Sequence, residues 1–121
     1  MNALAPSATA VAQRDSVLKL VYSAHWEHAA DTEQNLSWLR EFYADVYAET
    51  GGVPVPNEQT SGSYVNNPDF DVFDERWNSS GLAWHELYHQ GNYPRLQRVK
   101  ATWDPRGIFT NPFSVRPPDA G

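Results

Sequence analysis

The stretch from Val17 to Trp26, which reads VLKLVYSAHW, decides the fold class that the sequence predicts. Successive side chains of a β-strand point to opposite faces, so alternate positions can be grouped by face. One face is mainly apolar and consists of Leu18, Leu20, Tyr22, Ala24 and Trp26. The other face is mixed and consists of Val17, Lys19, Val21, Ser23 and His25. This period of two predicts a strand with one buried face, whose mixed face meets solvent or lines a cavity.

Downstream of this stretch the sequence predicts an amphipathic helix over about residues 32–49. Asp31 can cap its first turn, and the pair Gly51-Gly52 ends it. The apolar residues that follow helical spacing are Leu36, Leu39, Phe42, Tyr43 and Val46. This segment therefore predicts a helix that packs against the strand.

The remaining residues predict two shorter helices and one short extended piece. Residues 82–89 favour a helix, and a second helix begins near Pro94, which suits a first helical turn, and ends near Thr102. Residues 63–66 predict the extended piece. One or two strands do not form a stable sheet in water, so we expect further strands from another chain or from a second copy.

We therefore predict an α+β fold of amphipathic antiparallel strands backed by helices and completed from outside the chain. The predicted organisation is a flexible lead over residues 1–13 and a single domain over residues 14–121.

Composition and charge exclude several classes of function. Nine Lys and Arg against fifteen Asp and Glu give a net charge of -6, which disfavours a phosphate-backbone partner such as nucleic acid. The chain contains no Cys, so disulfide and thiolate chemistry are excluded. The N-terminal residues lack the pattern of a signal peptide, and no run approaches the roughly 18 apolar residues that span a bilayer. These features predict a cytoplasmic protein without a membrane segment.

A possible metal motif occurs at His85-Glu86-Leu87-Tyr88-His89, which matches H-E-x-x-H. On a helix the two His lie on one face, and the Glu can serve as general base of a zinc hydrolase. A catalytic zinc site needs a third ligand, but neither His nor Glu follows residue 89. The zinc hydrolase therefore stays a remote alternative, and we predict no metal ligand.

The region from Gly62 to Pro118 carries a long ordered pattern. Its carriers are Tyr64-Val65-Asn66-Asn67-Pro68-Asp69 with Asp71, then Trp84, Leu87-Tyr88, Gly91 to Lys100 (GNYPRLQRVK), Trp103-Asp104-Pro105, Ile108-Phe109 and Ser114 to Pro117. On these residues the chain resembles the C-terminal segment of the berberine bridge enzyme family of FAD-linked oxidases. The resemblance extends upstream to about residue 12.

The resemblance implies a fold and a set of site residues. It implies the C-terminal half of a substrate domain, with an antiparallel sheet backed by helices, whose flavin-attachment domain lies outside this chain. It implies that Tyr64 and Asn66 lie near flavin and substrate, with Tyr64 catalytic and Asn66 in contact with the cofactor. It also implies that Asn92 and Tyr93 help to hold FAD.

Two positions depart from the family pattern. Members of the family often have a Tyr or a His at the position of Asn67, where it serves as the base or its helper, and Asn cannot take a proton. Some plant members have a Glu base where this chain has Lys19, and a partly buried Lys can act as a base. We therefore name Lys19 and Asn67, with Tyr64, as candidate catalytic residues.

The strand supplies the candidate substrate-binding residues. They are Tyr22, His25 and Trp26, because aromatic side chains and mixed strand faces are both typical of pockets.

Two hypotheses about function remain open. The first is a fragment or small subunit of an FAD-linked oxidoreductase, which acts on a small, natural-product substrate and pairs with a flavin domain. The second is a flavin-free homodimer derived from such an oxidase, which binds, cyclises or isomerises a small molecule without a cofactor.

Overall fold

The computed structural model describes residues 4–118, and its regular elements are helices. Helix α1 spans Thr32–Val46, α2 spans Trp84–His89 and α3 spans Tyr93–Trp103. The short 3-10 turns are Pro6–Ala8, Ala29–Asp31, Ala48–Thr50, Phe70–Phe73 and Gln90–Asn92. The three predicted helices are thus confirmed, and the turn at residues 48–50 accounts for the predicted extension of α1 to residue 49. Residues 1–3 of the predicted lead and residues 119–121 of the predicted domain lie outside the described residues.

The predicted α+β fold is wrong for residues 4–118, which contain no β-strand. A strand is defined by its pairing, and residues 17–26 make no backbone hydrogen bond to any other of the described segments. Val17 is accordingly 94% exposed. From residue 21 onward the expected alternation persists, since Tyr22, Ala24 and Trp26 are half-buried and the residues between them are exposed. The period of two thus identifies which side chains turn inward, but it does not supply a neighbour for the backbone.

The second predicted extended piece, residues 63–66, also forms no strand. The backbone N–H of Asn67 donates to the carbonyl of Tyr64 at 2.9 Å, which closes a turn. This turn brings the side chains of Tyr64, Asn66 and Asn67 to one place.

The core lies between the loop after α1, α2 and the beginning of α3. Its buried members are Val53, Val72, Trp84, Leu87, Tyr88, Tyr93 and Phe113. Leu87, at 0% exposure, lies at its centre. A hydrogen bond of 3.0 Å from the backbone N–H of Asp69 to the Tyr88 hydroxyl fixes the acidic loop to α2. The core therefore positions residues 53–72 against one short helix.

Helix α2 is held by a local cap. The Glu86 carboxylate accepts a hydrogen bond of 2.8 Å from the backbone N–H of Ala83, which would otherwise lack a partner at the helix start. Gln90 follows the helix with a φ of 52°, and its side chain donates to the Ser61 carbonyl at 2.8 Å. The end of α2 is thus tied to the loop that leads to Tyr64.

Helix α1 lies outside this core and contains no buried residue. It is attached by Arg40, whose guanidinium donates to both carboxylate oxygens of Asp71 at 2.6 and 2.9 Å. Trp38 and Phe42 stack on each other at 5.5 Å between ring centroids, and both are exposed. Helix α1 therefore presents an apolar surface, at Trp38 and Phe42, that residues 4–118 leave partly open to solvent.

Helix α3 ends at an ion pair beside a second apolar surface. Lys100 and the backbone N–H groups of Ile108 and Phe109 donate to Asp104, and they hold the pKa of its carboxyl below the usual range. This turn leaves Trp103 at 82% and Phe109 at 75% exposure.

The N-terminal residues lie against the core. The Asn92 amide donates to the Pro6 carbonyl at 2.9 Å, and the Gln13 amide donates to the carbonyls of Ser63 and Tyr88. Ala12 is buried. These contacts place the beginning of the segment 17–26 beside the turn at Tyr64.

Among the described residues, no helix combines the length and the apolar character that crossing a membrane requires.

Gly62 provides a test of how closely the loop must approach α2. Its φ is 84°, and a Cβ there would lie 2.3 Å from the Leu87 carbonyl oxygen, which accepts the N–H of Ser63. We expect Gly62→Ala to lower the free energy of unfolding by about 3 kcal/mol, through backbone strain and the clash together. Urea unfolding followed by tryptophan fluorescence measures this loss.

Gly81→Ala is the matched control. Gly81 has a φ of 79°, but a Cβ at this position would have no atom within 4 Å to clash with. It should lose only the strain contribution, about 1–2 kcal/mol. Equal losses in the two variants would contradict a close approach at Gly62.

Candidate functional site

Four polar side chains converge at the turn of residues 64–67. The Lys19 ammonium donates to the Asn67 amide oxygen at 2.5 Å, and it lies 3.9 Å from the centroid of the Tyr64 ring. The Asn66 amide donates to the Tyr64 hydroxyl at 3.0 Å. Lys19 comes from the segment 17–26 and the other three from the turn, so the group joins two distant parts of the chain. The three candidate catalytic residues and the candidate cofactor ligand Asn66 thus lie together.

These residues line a broad open groove of about 1630 Å³. Its walls are the segment of residues 15–22, one side of α1 and the loop of residues 57–71. The groove is wide enough for a molecule much larger than a simple metabolite. The wall formed by the loop of residues 57–71 and the segment of residues 15–22 carries Lys19, Tyr64, Asn66 and Asn67.

The α1 wall of the groove is aromatic. Tyr22 packs edge-on against Phe42, Tyr43 and Tyr47, with ring centroids 5.7, 5.4 and 6.4 Å apart. Burial raises the pKa of the Tyr43 and Tyr47 phenols, so both remain neutral hydroxyls at physiological pH. The aromatic residues of this wall therefore offer ring faces and neutral hydroxyl groups to a ligand.

The opposite end of the groove holds an ion pair that the sequence did not reveal. Arg40 binds Asp71 through two hydrogen bonds and lies 5.7 Å from the centroid of the Trp77 ring. Burial raises the pKa of Asp69, although the backbone N–H of Asp71 donates to its carboxylate. The sequence carried two hints of this ion pair. One is an Arg among the apolar positions of α1, and the other is the run of acidic residues in the later loop.

Four other predicted site residues do not join this group. His25 is exposed, and the Trp26 indole donates to the Thr32 hydroxyl at 2.9 Å, so neither lines the groove. Asn92 is 6% and Tyr93 7% exposed. Asn92 donates to Pro6, and the Tyr93 hydroxyl accepts the backbone N–H of Arg116 at 3.3 Å. Both are buried, and neither lines the groove.

The H-E-x-x-H motif forms a packed aromatic cluster. The His85 ring stacks on the Tyr93 ring, with 4.1 Å between the ring centroids and 8° between the ring planes. The centroid of the His89 ring lies 6.0 Å from that of the Trp84 ring. Glu86 caps α2 instead of facing the two His. The described residues contain no group of three or more His, Asp or Glu that could hold a metal ion. The geometry therefore gives no support to the zinc hydrolase.

His89 is the buried titratable group of this cluster. It is 7% exposed, and its Nε2 has no hydrogen-bond partner within residues 4–118. Burial lowers its pKa, and the neighbouring His85 adds to that effect. His89 is consequently kept neutral in the folded chain.

Comparison with known proteins identifies the family to which the ordered pattern of residues 62–118 corresponds. The family described as berberine and berberine-like matches residues 63–116. The aclacinomycin-N/aclacinomycin-A oxidase of Streptomyces galilaeus is 54% identical over 118 residues, which are 98% of this chain and 22% of that protein.

Two solved structures share the fold. The crystal structure of aclacinomycin oxidoreductase matches 97% of this chain and 24% of its own, with a TM-score of 0.92 and 55% identity. A glycopeptide hexose oxidase complexed with teicoplanin matches 96% of this chain and 23% of its own, with a TM-score of 0.91 and 51% identity. The chain therefore spans less than a quarter of the length of these relatives.

The neutral state of His89 predicts a pH dependence. The pKa of His89 is lowered on folding, so the unfolded chain takes up the proton first as the pH falls below about 6.5. The stabilisation is complete above that pH and is lost as the pH falls through the depressed folded pKa. We expect the free energy of unfolding to decrease from pH 7 to pH 5.

Replacing the imidazole checks the origin of this dependence. His89→Phe keeps an aromatic ring and removes the titrating group, so it should flatten the decrease measured by urea unfolding at each pH. His28→Phe, at an exposed position, is the control. An unchanged pH dependence in His89→Phe would show that another group causes it.

Proposed function

We propose that this chain, which belongs to the berberine and berberine-like family, is the substrate-side C-terminal part of an FAD-linked oxidoreductase acting on a natural-product substrate. The flavin-binding part of the family fold completes it, either as the rest of the same protein or as a partner subunit. We call the flavin-loaded protein formed by both parts the holoprotein.

The observation that carries this proposal is the extent of the structural match. Nearly the whole chain superimposes on aclacinomycin oxidoreductase with a TM-score of 0.92, although it corresponds to only 24% of that structure. Identity of 55% over this length supports a conserved role for the segment as well as a conserved fold. The relatives named as an aclacinomycin oxidase and as a glycopeptide hexose oxidase complexed with teicoplanin support a natural-product substrate.

The exposed apolar side chains support the proposal that further protein covers this chain. Trp38 and Phe42 on α1, and Trp103, Ile108 and Phe109 at the end of α3, form two apolar surfaces. Soluble proteins rarely leave such contiguous apolar surfaces open to water unless something binds there. The flavin-binding part of the holoprotein is the partner that fits both the family and the missing length.

FAD is the cofactor of the full-length family, and the open residues of the groove can make part of its contacts. Asn66 and Asn67 are exposed and bear amide groups, which suit the donors and acceptors of a flavin ring. Asn92 and Tyr93 fit this role less well, because they are buried and contact other parts of the chain. When bound, the flavin supplies the electron acceptor for substrate oxidation.

Within the chain, Tyr64 is the group best placed to move a proton. Its hydroxyl oxygen accepts a hydrogen bond from Asn66, and the Lys19 ammonium lies over its ring. Both contacts hold the Tyr64 side chain at the groove, where its deprotonated form takes a proton from the substrate and becomes the neutral phenol. Asn67 cannot take a proton, and its oxygen holds Lys19 in place.

A graft tests the proposal directly. Residues 4–118 replace the matching segment of the aclacinomycin oxidase, and the purified protein is examined by visible absorption. We expect a yellow protein with flavin bands, because the grafted segment supplies the same packing surfaces. A colourless or aggregated product would contradict the proposal.

Two variants of the graft test whether its apolar surface is covered. Trp103→Asp should cost flavin retention and solubility, because it places a charge in a buried contact. His28→Asp, at an exposed position outside the residues of both apolar surfaces, is the control and should retain the flavin. Equal flavin retention and solubility in the two variants would mean that Trp103 stays exposed to solvent in the graft.

Tyr64→Phe tests the proposed proton transfer. We expect kcat of the holoprotein to fall by roughly 100-fold or more, the usual contribution of a general acid or base, with flavin content unchanged. His25→Phe, at an exposed position that does not line the groove, is the control. If kcat stays within about twofold of the unaltered protein, the role assigned to Tyr64 is wrong.

A further inference from the structure

We propose that Lys19 binds a carboxylate of the substrate in the groove beside Tyr64. This inference rests on the proposed function for the role of the groove, and it adds the charge and the position of the ligand group.

The Lys19 ammonium has no charged partner among the described residues. Its two contacts are the neutral Asn67 amide oxygen and the face of the Tyr64 ring. The ion pairs between side chains within residues 4–118 involve Arg40, Arg76 and Lys100. Lys19 therefore brings an uncompensated positive charge to the wall of the groove.

The other charges of the lining restrict where an anion can bind. Arg40 is the second cation among the lining residues, and both of its hydrogen bonds to Asp71 are already made. The acidic lining residues are Asp15, Asp45, Glu49, Glu58, Asp69 and Asp71. An anionic ligand group is repelled by these carboxylates, so the vicinity of Lys19 is where it can be accommodated.

The contacts of Lys19 leave donors for a ligand. An ammonium group has three N–H donors, and Asn67 takes one of them. The Tyr64 oxygen accepts from Asn66, which leaves the phenol O–H to be donated. The ammonium and the phenol together offer donors to the two oxygens of one carboxylate.

The turn that Lys19 contacts has a fixed position. Asn67 belongs to the turn that the hydrogen bond from its own N–H to Tyr64 closes, and the Gln13 amide binds the Ser63 carbonyl next to that turn. The ammonium is thereby held before a ligand arrives, so little side-chain entropy is lost on binding. Once the flavin-binding part covers the groove and removes water, an unpaired ammonium becomes costly, and a ligand carboxylate offsets that cost.

A pair of isosteric probes tests the charge preference. 2-Naphthoate and 2-naphthamide have the same ring and nearly the same shape, and only the first is charged. Titration calorimetry of the holoprotein should show that naphthoate binds about tenfold or more tightly than naphthamide, as expected for a charge-assisted hydrogen bond. Lys19→Gln should abolish this preference, and Lys19→Arg should keep it.

Asn67→Asp separates recognition from a structural role of Lys19. The variant keeps the shape of residue 67 and an oxygen acceptor for Lys19, but it adds a negative charge beside the ammonium. Recognition of a carboxylate predicts that Asn67→Asp loses the preference for naphthoate, as Lys19→Gln does. If Lys19 only ties two segments together, Asn67→Asp strengthens that tie and leaves the ratio of affinities unchanged.

Three results would overturn the proposal. The first is naphthoate binding no tighter than naphthamide, and the second is an equal loss of both ligands in Lys19→Gln. The third is a Lys19→Gln variant with a shifted flavin absorption spectrum and an unchanged ratio of affinities, which would assign the charge to the flavin. Calorimetry needs no flavin signal, whereas the proposed function fails by loss of flavin from the graft, so the two failures are distinguishable.

Discussion

The structure depends on a core that is too small to cover all of the apolar side chains the chain carries. Leu87 and its neighbours hold α2 against the loop of residues 53–72, and Gly62 lets the two approach closely. Beyond this centre, α1 contributes no buried residue, and the end of α3 leaves Trp103 in water. Since burial of apolar surface is the main driving force of folding, these exposed surfaces are where we propose that further protein binds.

The same constraint organises the candidate site. Gln13, Gln90 and the Tyr88 hydroxyl tie the loop to the core through hydrogen bonds, so the turn at residues 64–67 has a fixed position. Lys19 reaches this turn from a segment that is itself weakly held. The candidate catalytic residues therefore lie at the boundary between the well-packed part of the chain and the part whose apolar side chains are exposed.

The helices could be predicted from the sequence because their determinants are local. Apolar spacing marks α1, Pro94 marks the first turn of α3, and Gly91 separates it from α2. The strand prediction failed because a strand needs a neighbouring backbone, and the sequence of residues 17–26 specifies only which side chains turn inward. The local pattern determines which way the side chains of residues 17–26 point. Strand pairing, in contrast, requires backbone from residues that are distant in the sequence or on another chain.

The candidate site was partly within reach of the sequence. Tyr64 and Asn66 followed from the family resemblance, and Lys19 and Asn67 were noticed as separate departures from it. Lys19 and Asn67 are 48 positions apart in the sequence, and their contact depends on the tertiary fold, which sequence spacing does not show. The pair Arg40–Asp71 was missed for the same reason, since an acidic loop run and one helix Arg do not identify each other without the fold.

Hydroxyl-radical footprinting with mass spectrometry, applied to the chain alone and to the holoprotein, tests the central claim most directly. It reads the solvent exposure of single side chains, and Trp38, Trp103 and Phe109 are exposed in the chain. The account predicts strong modification of all three in the chain alone and protection of all three in the flavin-loaded holoprotein. Equal modification in both would mean that the flavin-binding part does not cover these surfaces, and it would contradict the account.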